Sequence, residues 1–167
     1  MDIDDYYGKN FYFPNWYSKI KWSGFKYKTL SDNDNPHNQE DLISLNSLTS
    51  KRHFKGIKYK CKFCGIIATN PDILRMNITL LISNYYKKID GFGRAFDKFE
   101  KRSKRDILKE YKFCFCPENS IYPGYVTEKL VEAWDAGVVP LWSGSNMPVP
   151  FINQNSFVNY QNFNQIS

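Results

Sequence analysis

The strongest constraint on the fold is the texture of the chain after Ile57, where short β-rich apolar runs alternate with helical patterns and Pro or Gly punctuates the changes. That alternation is what βαβ units and a parallel sheet require. A first strand is expected over Tyr59 to Ala68, closing on Thr69-Asn70-Pro71, where Pro71 can open a helix at its first position. The helix should run to about Tyr86, with Ile73, Leu74, Ile78, Leu81 and Ile82 forming the stripe that packs on the sheet and Arg75 and Asn77 lying elsewhere. A short strand near Lys88 to Asp90 precedes Gly91-Phe92-Gly93, and a short helix over Lys104 to Tyr111 precedes a strand at Phe113 to Cys116. Thr127 to Ala136 is read as a helix, since Val126, Leu130 and Trp134 recur every fourth residue and Gly137 stands where a left-handed cap is expected. Val138 to Trp142 follows as a continuous apolar strand and Phe157-Val158 as one more.

Length fits one compact domain: 167 residues, 42% hydrophobic and 17% aromatic, carry more buriable surface than a disordered chain. Residues 1 to 57 are irregular, with aromatic clusters at Tyr6-Tyr7 and Phe11 to Tyr17 and a polar stretch from Ser31 to Asp41, and are read as an arm; the core domain is expected over 58 to 167. Lys plus Arg number 23 against 17 for Asp plus Glu, a formal charge of +6 that favours an anionic partner, with phosphate the leading candidate. Nothing at the start reads as a signal peptide, and no apolar run is long enough to span a bilayer.

Several features are weighed as decoys. Cys61, Cys64, Cys114 and Cys116 lie in β-type runs where neighbours face opposite sides, so buried thiols are expected rather than zinc ligands. Asp32-Asn33-Asp34 mimics a metal-binding Asp-x-Asp but follows no strand. The basic run Lys98 to Lys112 is interleaved with Glu100, Asp106 and Glu110 and has no stacking motif, which reads as a solvated helix face rather than a nucleic-acid surface. Asn77-Ile78-Thr79 is a glycosylation sequon that acts only in a secretory lumen.

Chemistry concentrates between Tyr111 and Gly144: a strand, a loop carrying Glu118-Asn119-Ser120, a helix opening on Thr127-Glu128-Lys129, and a second strand. Loops at strand C-terminal ends are where open parallel sheets bind ligands, and a helix N-terminus adds unpaired amides to the charge of Lys129. Glu128 beside Lys129 would repel a phosphate unless it accepts hydrogen bonds from hydroxyls, as an acidic residue does from ribose in dinucleotide folds. A nucleoside diphosphate satisfies both neighbours.

These residues resemble the α1,3/α1,4-fucosyltransferase family, whose hallmark is a Phe-led segment ending in Glu-Asn-Ser, here Phe115 to Ser120, followed by Tyr-Val-Thr-Glu-Lys, here Tyr125 to Lys129. The likeness extends through Lys62-Phe63-Cys64, Thr69-Asn70-Pro71, Arg75 and Asp90-Gly91-Phe92-Gly93 to Ala136 to Pro140 and Ser156-Phe157-Val158, about two-thirds of the chain. The resemblance implies an α/β fold, a Rossmann-like parallel sheet flanked by helices that forms the donor-binding half of a GT-B architecture, with an irregular N-terminal arm. It implies transfer of L-fucose from GDP-fucose to an N-acetylglucosamine or glucose hydroxyl with inversion, and a glycan acceptor as partner; a GDP-binding module without turnover is the alternative. By the same resemblance Arg75 and Lys129 would hold the diphosphate, Glu128 the ribose hydroxyls, and Asn119 and Tyr125 the phosphate and ribose surroundings. Donor binding would need no metal, with stimulation by Mn²⁺ left open. No residue is assigned as general base, because the family carries it in an N-terminal acceptor domain of which residues 1 to 57 would be a remnant, and a closing helical segment is also expected to be missing after Ser167. Eukaryotic-type full-length relatives imply a Golgi membrane location, bacterial ones the cytoplasm.

Overall fold

The computed structural model describes residues 14–22, 42–50, 60–145 and 152–163. Two short strands of the arm, β1 (Ile20–Lys21) and β2 (Ile43–Ser44), pair in parallel, and helix α1 (Leu45–Thr49) follows. Ile20 and Ile43 bury themselves against Val131, with Trp16, Trp22, Leu48 and Trp134 packed around them. The arm is therefore held by apolar burial against the helix that carries Val131. Expectations that fall on Ser31 to Asp41, Asp32-Asn33-Asp34 included, lie outside the described residues.

The remaining strands form one parallel sheet: β3 (Lys62–Ile67), β4 (Ile89–Phe92), β5 (Tyr111–Phe115), β6 (Val139–Trp142) and β7 (Val158–Asn159), in spatial order β4-β3-β5-β6-β7. The expected Rossmann-like α/β sheet is present. Registers include Gly65 opposite Asp90, Cys64 opposite Phe113 and Cys114 opposite Pro140. Pro140 is tolerated inside β6 for a geometric reason. The Leu141 carbonyl accepts from the Cys116 N–H on the β5 side, at 3.0 Å, so Pro140 presents its missing N–H to the other side, where β7 pairs only from Leu141 onward.

Alternation along β5 divides the core. Cys114, with Cys116 just beyond the strand, joins Leu108, Val126, Leu130, Ala133 and Trp142 on one face; Phe113 and Phe115 join Ile66, Ile89, Ile78 and Ile82 on the other. Helix α2 (Ile73–Tyr85) covers the second face, while α3 (Lys104–Leu108) and α4 (Lys129–Asp135) cover the first. Gly137 takes φ 67° just past α4, the left-handed cap its position predicts.

Three expectations about α2 and the cysteines need correction. Asp72, not Pro71, starts α2: its carboxylate accepts from the Arg75 N–H at 2.8 Å, which satisfies an otherwise orphaned donor. The buried arc of α2 is Arg75, Ile78, Thr79 and Ile82, whereas Ile73, Leu74 and Leu81 are 78%, 60% and 54% exposed. The helix is apolar round most of its circumference, so spacing alone does not say which arc turns inward. Finally, Cys61 is exposed, and only Cys64, Cys114 and Cys116 are buried; all four are free thiols.

Candidate functional site

The strand order makes β3 the turning point of the sheet: the chain leaves it toward β4, then returns to β5 on its other side and grows outward from there. The crevice at the C-terminal ends of β3 and β5 is the topological switch point, where open α/β sheets bind ligands. A cleft of about 170 Å³ opens there, lined by residues that include Ile66, Asn70, Phe115, Asn119, Glu128 and Lys129.

Arg75, from the first turn of α2, also lines it. Its Nη2 donates to the Asn119 Oδ1 at 2.5 Å and its Nη1 to the Asn70 carbonyl at 3.3 Å, and the residue is only 7% exposed. Among the described residues Arg75 forms no ion pair. A guanidinium buried with neutral acceptors alone carries an unbalanced charge, an arrangement that favours an anion in the cleft. Thr79 supports the same turn by donating to the Arg75 carbonyl at 2.8 Å.

Opposite stands a carboxylate whose place in the sequence points to no role. Glu118 has a fully buried side chain. Its Oε1 accepts from the Thr127 N–H at 2.8 Å and the Trp142 indole at 3.2 Å, and its Oε2 from the Thr127 hydroxyl at 2.7 Å and the Lys129 ammonium at 2.8 Å. Lys129 in turn donates to the Thr127 hydroxyl oxygen at 2.8 Å. This shortens α4. Because Glu118 takes both the N–H and the hydroxyl of Thr127, that residue stays outside the helix, which begins at Lys129 rather than at Thr127. With seven residues in α4 and one amide already committed, side-chain cations outweigh the helix terminus in defining the charge of the cleft.

Glu128 caps α4 without a side-chain cap bond and sits half-buried in the cleft wall. Glu132, one turn on, also lines the cleft and is held by Lys104 at 3.0 Å and by Lys19 of the arm at 3.6 Å. Four of the five candidate residues, Arg75, Asn119, Glu128 and Lys129, thus converge on one cleft. Tyr125 does not: it is absent from the lining, and its N–H closes a turn onto the Tyr122 carbonyl at 2.9 Å. Glu118 escaped notice because a carboxylate just after Pro117 has the signature of an exposed turn.

Comparison with known proteins gives the family and the fold. Residues 49–167 match glycosyltransferase family 10 (fucosyltransferase), C-terminal region, and the chain belongs to that family. It is 31% identical over 103 residues to the alpha-(1,3)-fucosyltransferase of Helicobacter pylori, a match covering 60% of this chain and 22% of that protein. Against the 3-galactosyl-N-acetylglucosaminide 4-alpha-L-fucosyltransferase of Pongo pygmaeus it is 39% identical over 96 residues, covering 52% of this chain and 26% of the relative. A crystal structure of an alpha1,3-fucosyltransferase with GDP-fucose superposes with a TM-score of 0.56 at 28% identity, over 65% of this chain and 32% of that one. The chain therefore spans well under half the length of these relatives. Among the described residues no helix is long and apolar enough to cross a membrane.

Proposed function

We propose that this chain is the GDP-fucose-binding half of an inverting α1,3-fucosyltransferase, which passes L-fucose to a hydroxyl of an N-acetylglucosamine or glucose unit. The observation that carries the reading is Arg75, a buried guanidinium with no ion pair among the described residues, held against Asn119 in the switch-point cleft beside Lys129. A diphosphate supplies the missing anion. In such a transfer GDP departs with negative charge while the sugar becomes oxocarbenium-like, so donors already fixed around the leaving phosphate lower the barrier without reorganising. Arg75 and Lys129 take that role; Asn119 orients Arg75 through its oxygen and keeps its amide N–H groups for a phosphate oxygen. Glu128, a carboxylate in the wall, accepts from ribose hydroxyls. No role in donor binding is assigned to Tyr125. Residues 1–57 are read as the end of an acceptor-binding domain, and no residue is assigned as general base.

Calorimetric titration with GDP and GDP-fucose, with and without Mn²⁺, tests the reading, with GTP and a short oligonucleotide as controls. Both guanosine diphosphates bind, and Lys129→Ala weakens them about tenfold or more, as loss of a charge-assisted hydrogen bond requires. Unchanged affinity in that variant, or no binding by a folded wild-type chain, sinks the assignment. Adding a lactosamine-type acceptor and measuring released GDP then separates a transferase from a module that only holds the nucleotide.

A further inference from the structure

Glu118, Thr127 and Lys129 form a closed triangle of polar atoms: Glu118 Oε2 to Thr127 Oγ1 at 2.7 Å, Thr127 Oγ1 to Lys129 Nζ at 2.8 Å, and Lys129 Nζ to Glu118 Oε2 at 2.8 Å. We propose that Glu118 is a positioning residue, which locks the Lys129 ammonium in the cleft before any ligand arrives. The idea rests on the reading of the cleft as a diphosphate site and adds to it a residue that touches no substrate.

The triangle determines every proton in it. The Thr127 hydroxyl has one proton, committed to Glu118, so its oxygen is an acceptor toward Lys129. The ammonium has three N–H bonds; two go to Glu118 and Thr127, which leaves one for an anion. A free lysine loses rotamer entropy when it binds, and a preorganised one has already lost it before binding. Glu118 is itself immobilised from three sides. Its Oε1 holds the Thr127 N–H and the Trp142 indole, its backbone N–H donates to the Ser143 carbonyl at 2.7 Å, and Gly144 packs on its Cγ.

A staple for the loop alone would need only the neutral donors of Thr127 and Trp142. The bond to Lys129 goes beyond that requirement. It also divides the charge of the cleft: Lys129 is already balanced by Glu118 and acts as a directed donor, while Arg75 remains the unbalanced cation that attracts the diphosphate.

Two readouts test this. The first needs no nucleotide: amine acetylation of the folded, unliganded chain, resolved by residue in a mass spectrometer, with the exposed Lys88 as internal reference. Lys129 reacts about tenfold slower than Lys88 in the wild type and at least about fivefold faster than wild type in Glu118→Gln, because the amide withdraws a charge-assisted bond. Thr127→Val leaves the Glu118 carboxylate in place but removes the hydroxyl that holds its Oε2 and accepts from Lys129, and gives the same acceleration, which covers the case of a Glu118→Gln chain that does not fold. Trp142→Phe loosens only Oε1 and leaves the Lys129 rate unchanged, so general destabilisation is not the cause. Equal Lys129 rates in wild type, Glu118→Gln and Thr127→Val overturn the proposal.

The second readout is the affinity of GDP relative to guanosine. Glu118→Gln lowers this ratio about tenfold, Lys129→Ala does the same, and the double variant loses no more than either single one, as residues acting through one group require. Additive losses, or guanosine weakened as much as GDP, overturn the positioning role. If the folded wild type binds no GDP, the diphosphate reading fails, and acetylation still decides whether Glu118 locks Lys129.

Discussion

The Arg75 guanidinium donates to the Asn119 side-chain oxygen across 2.5 Å, joining the first turn of α2 to the loop after β5. The contact spans the switch point of the sheet, so the two segments that flank the cleft are joined by a single charged hydrogen bond. A buried charge without a counter-ion is unfavourable for folding, so an anion-binding role for Arg75 would offset a cost that the fold alone does not.

Arg75→Met is therefore expected to separate binding from stability. The unbranched thioether refills the space beneath Asn119 and Asn70 without a charge, so the unliganded variant unfolds at a urea midpoint equal to or above that of wild type. GDP affinity falls about a hundredfold, in line with loss of a charged donor. Calorimetry and urea titration on the same preparation measure both. A midpoint well below wild type, with GDP affinity retained, would falsify the assignment of Arg75 as an anion-binding residue.

Gly144 is the second point where site and fold meet. A Cβ at this position would overlap the Trp142 ring and lie 2.7 Å from Glu118 Cγ. Gly144→Ala must push one of them, at a cost of about 1–3 kcal/mol typical of overpacking. Urea unfolding gives the loss, and a Lys129 acetylation rate that rises in step locates the displacement at Glu118. An alanine variant as stable as wild type would mean that the end of β6 is slack.

How much of this was legible depended on which property each residue exposes in one dimension. The alternation after Ile57 anticipated the sheet because strand and helix periods differ, and Asn119, Glu128 and Lys129 were legible through their place after strand C-terminal ends, whereas Arg75, a lone charge on a helix, was singled out only through the family resemblance. Which arc of α2 faces inward was not: Leu74 and Leu81 share the helical spacing of Ile78 and Ile82, and the buried arc is the one on which Arg75 reaches the cleft and Thr79 is buried one turn further on. The start of α4 was misplaced because Thr127 has a good capping pattern of its own, which Glu118, nine residues earlier, overrides by bonding both its N–H and its hydroxyl. Tyr125 shares the motif but not the cleft, a distinction that spacing does not carry.

The cysteines give a test of the two faces of β5. Burial, with Cys114 nearby, pushes the Cys64 thiol well above its ordinary range, and burial does the same to Cys116. The thiolate is the reactive form, so iodoacetamide at mildly alkaline pH is expected to modify Cys61 alone in the folded chain and all four in denaturant. Mass spectrometry counts the adducts. Rapid native labelling of Cys114 or Cys116 would mean that α3 and α4 do not cover that face of the sheet.

At the far end of the sheet, Glu110 accepts from Lys62 at 2.6 Å and from Arg102, and these two hydrogen bonds hold its carboxyl below the ordinary 4.5, at about 2. A carboxyl that is more acidic in the folded chain binds fewer protons there than in the unfolded one, so stability rises with pH across that interval. The contribution is complete above about pH 4.5 and is lost as the pH falls toward about 2. Glu110→Gln removes it, so the variant's urea midpoint declines less steeply than that of wild type between about pH 4.5 and the lowest pH at which the chain stays folded. The Glu110 side chain is 31% exposed and Lys62 and Arg102 are each 42% exposed, so high salt shrinks the difference between the two proteins. Parallel acid profiles for wild type and Glu110→Gln would show that this cluster is as fully formed in the unfolded chain as in the folded one.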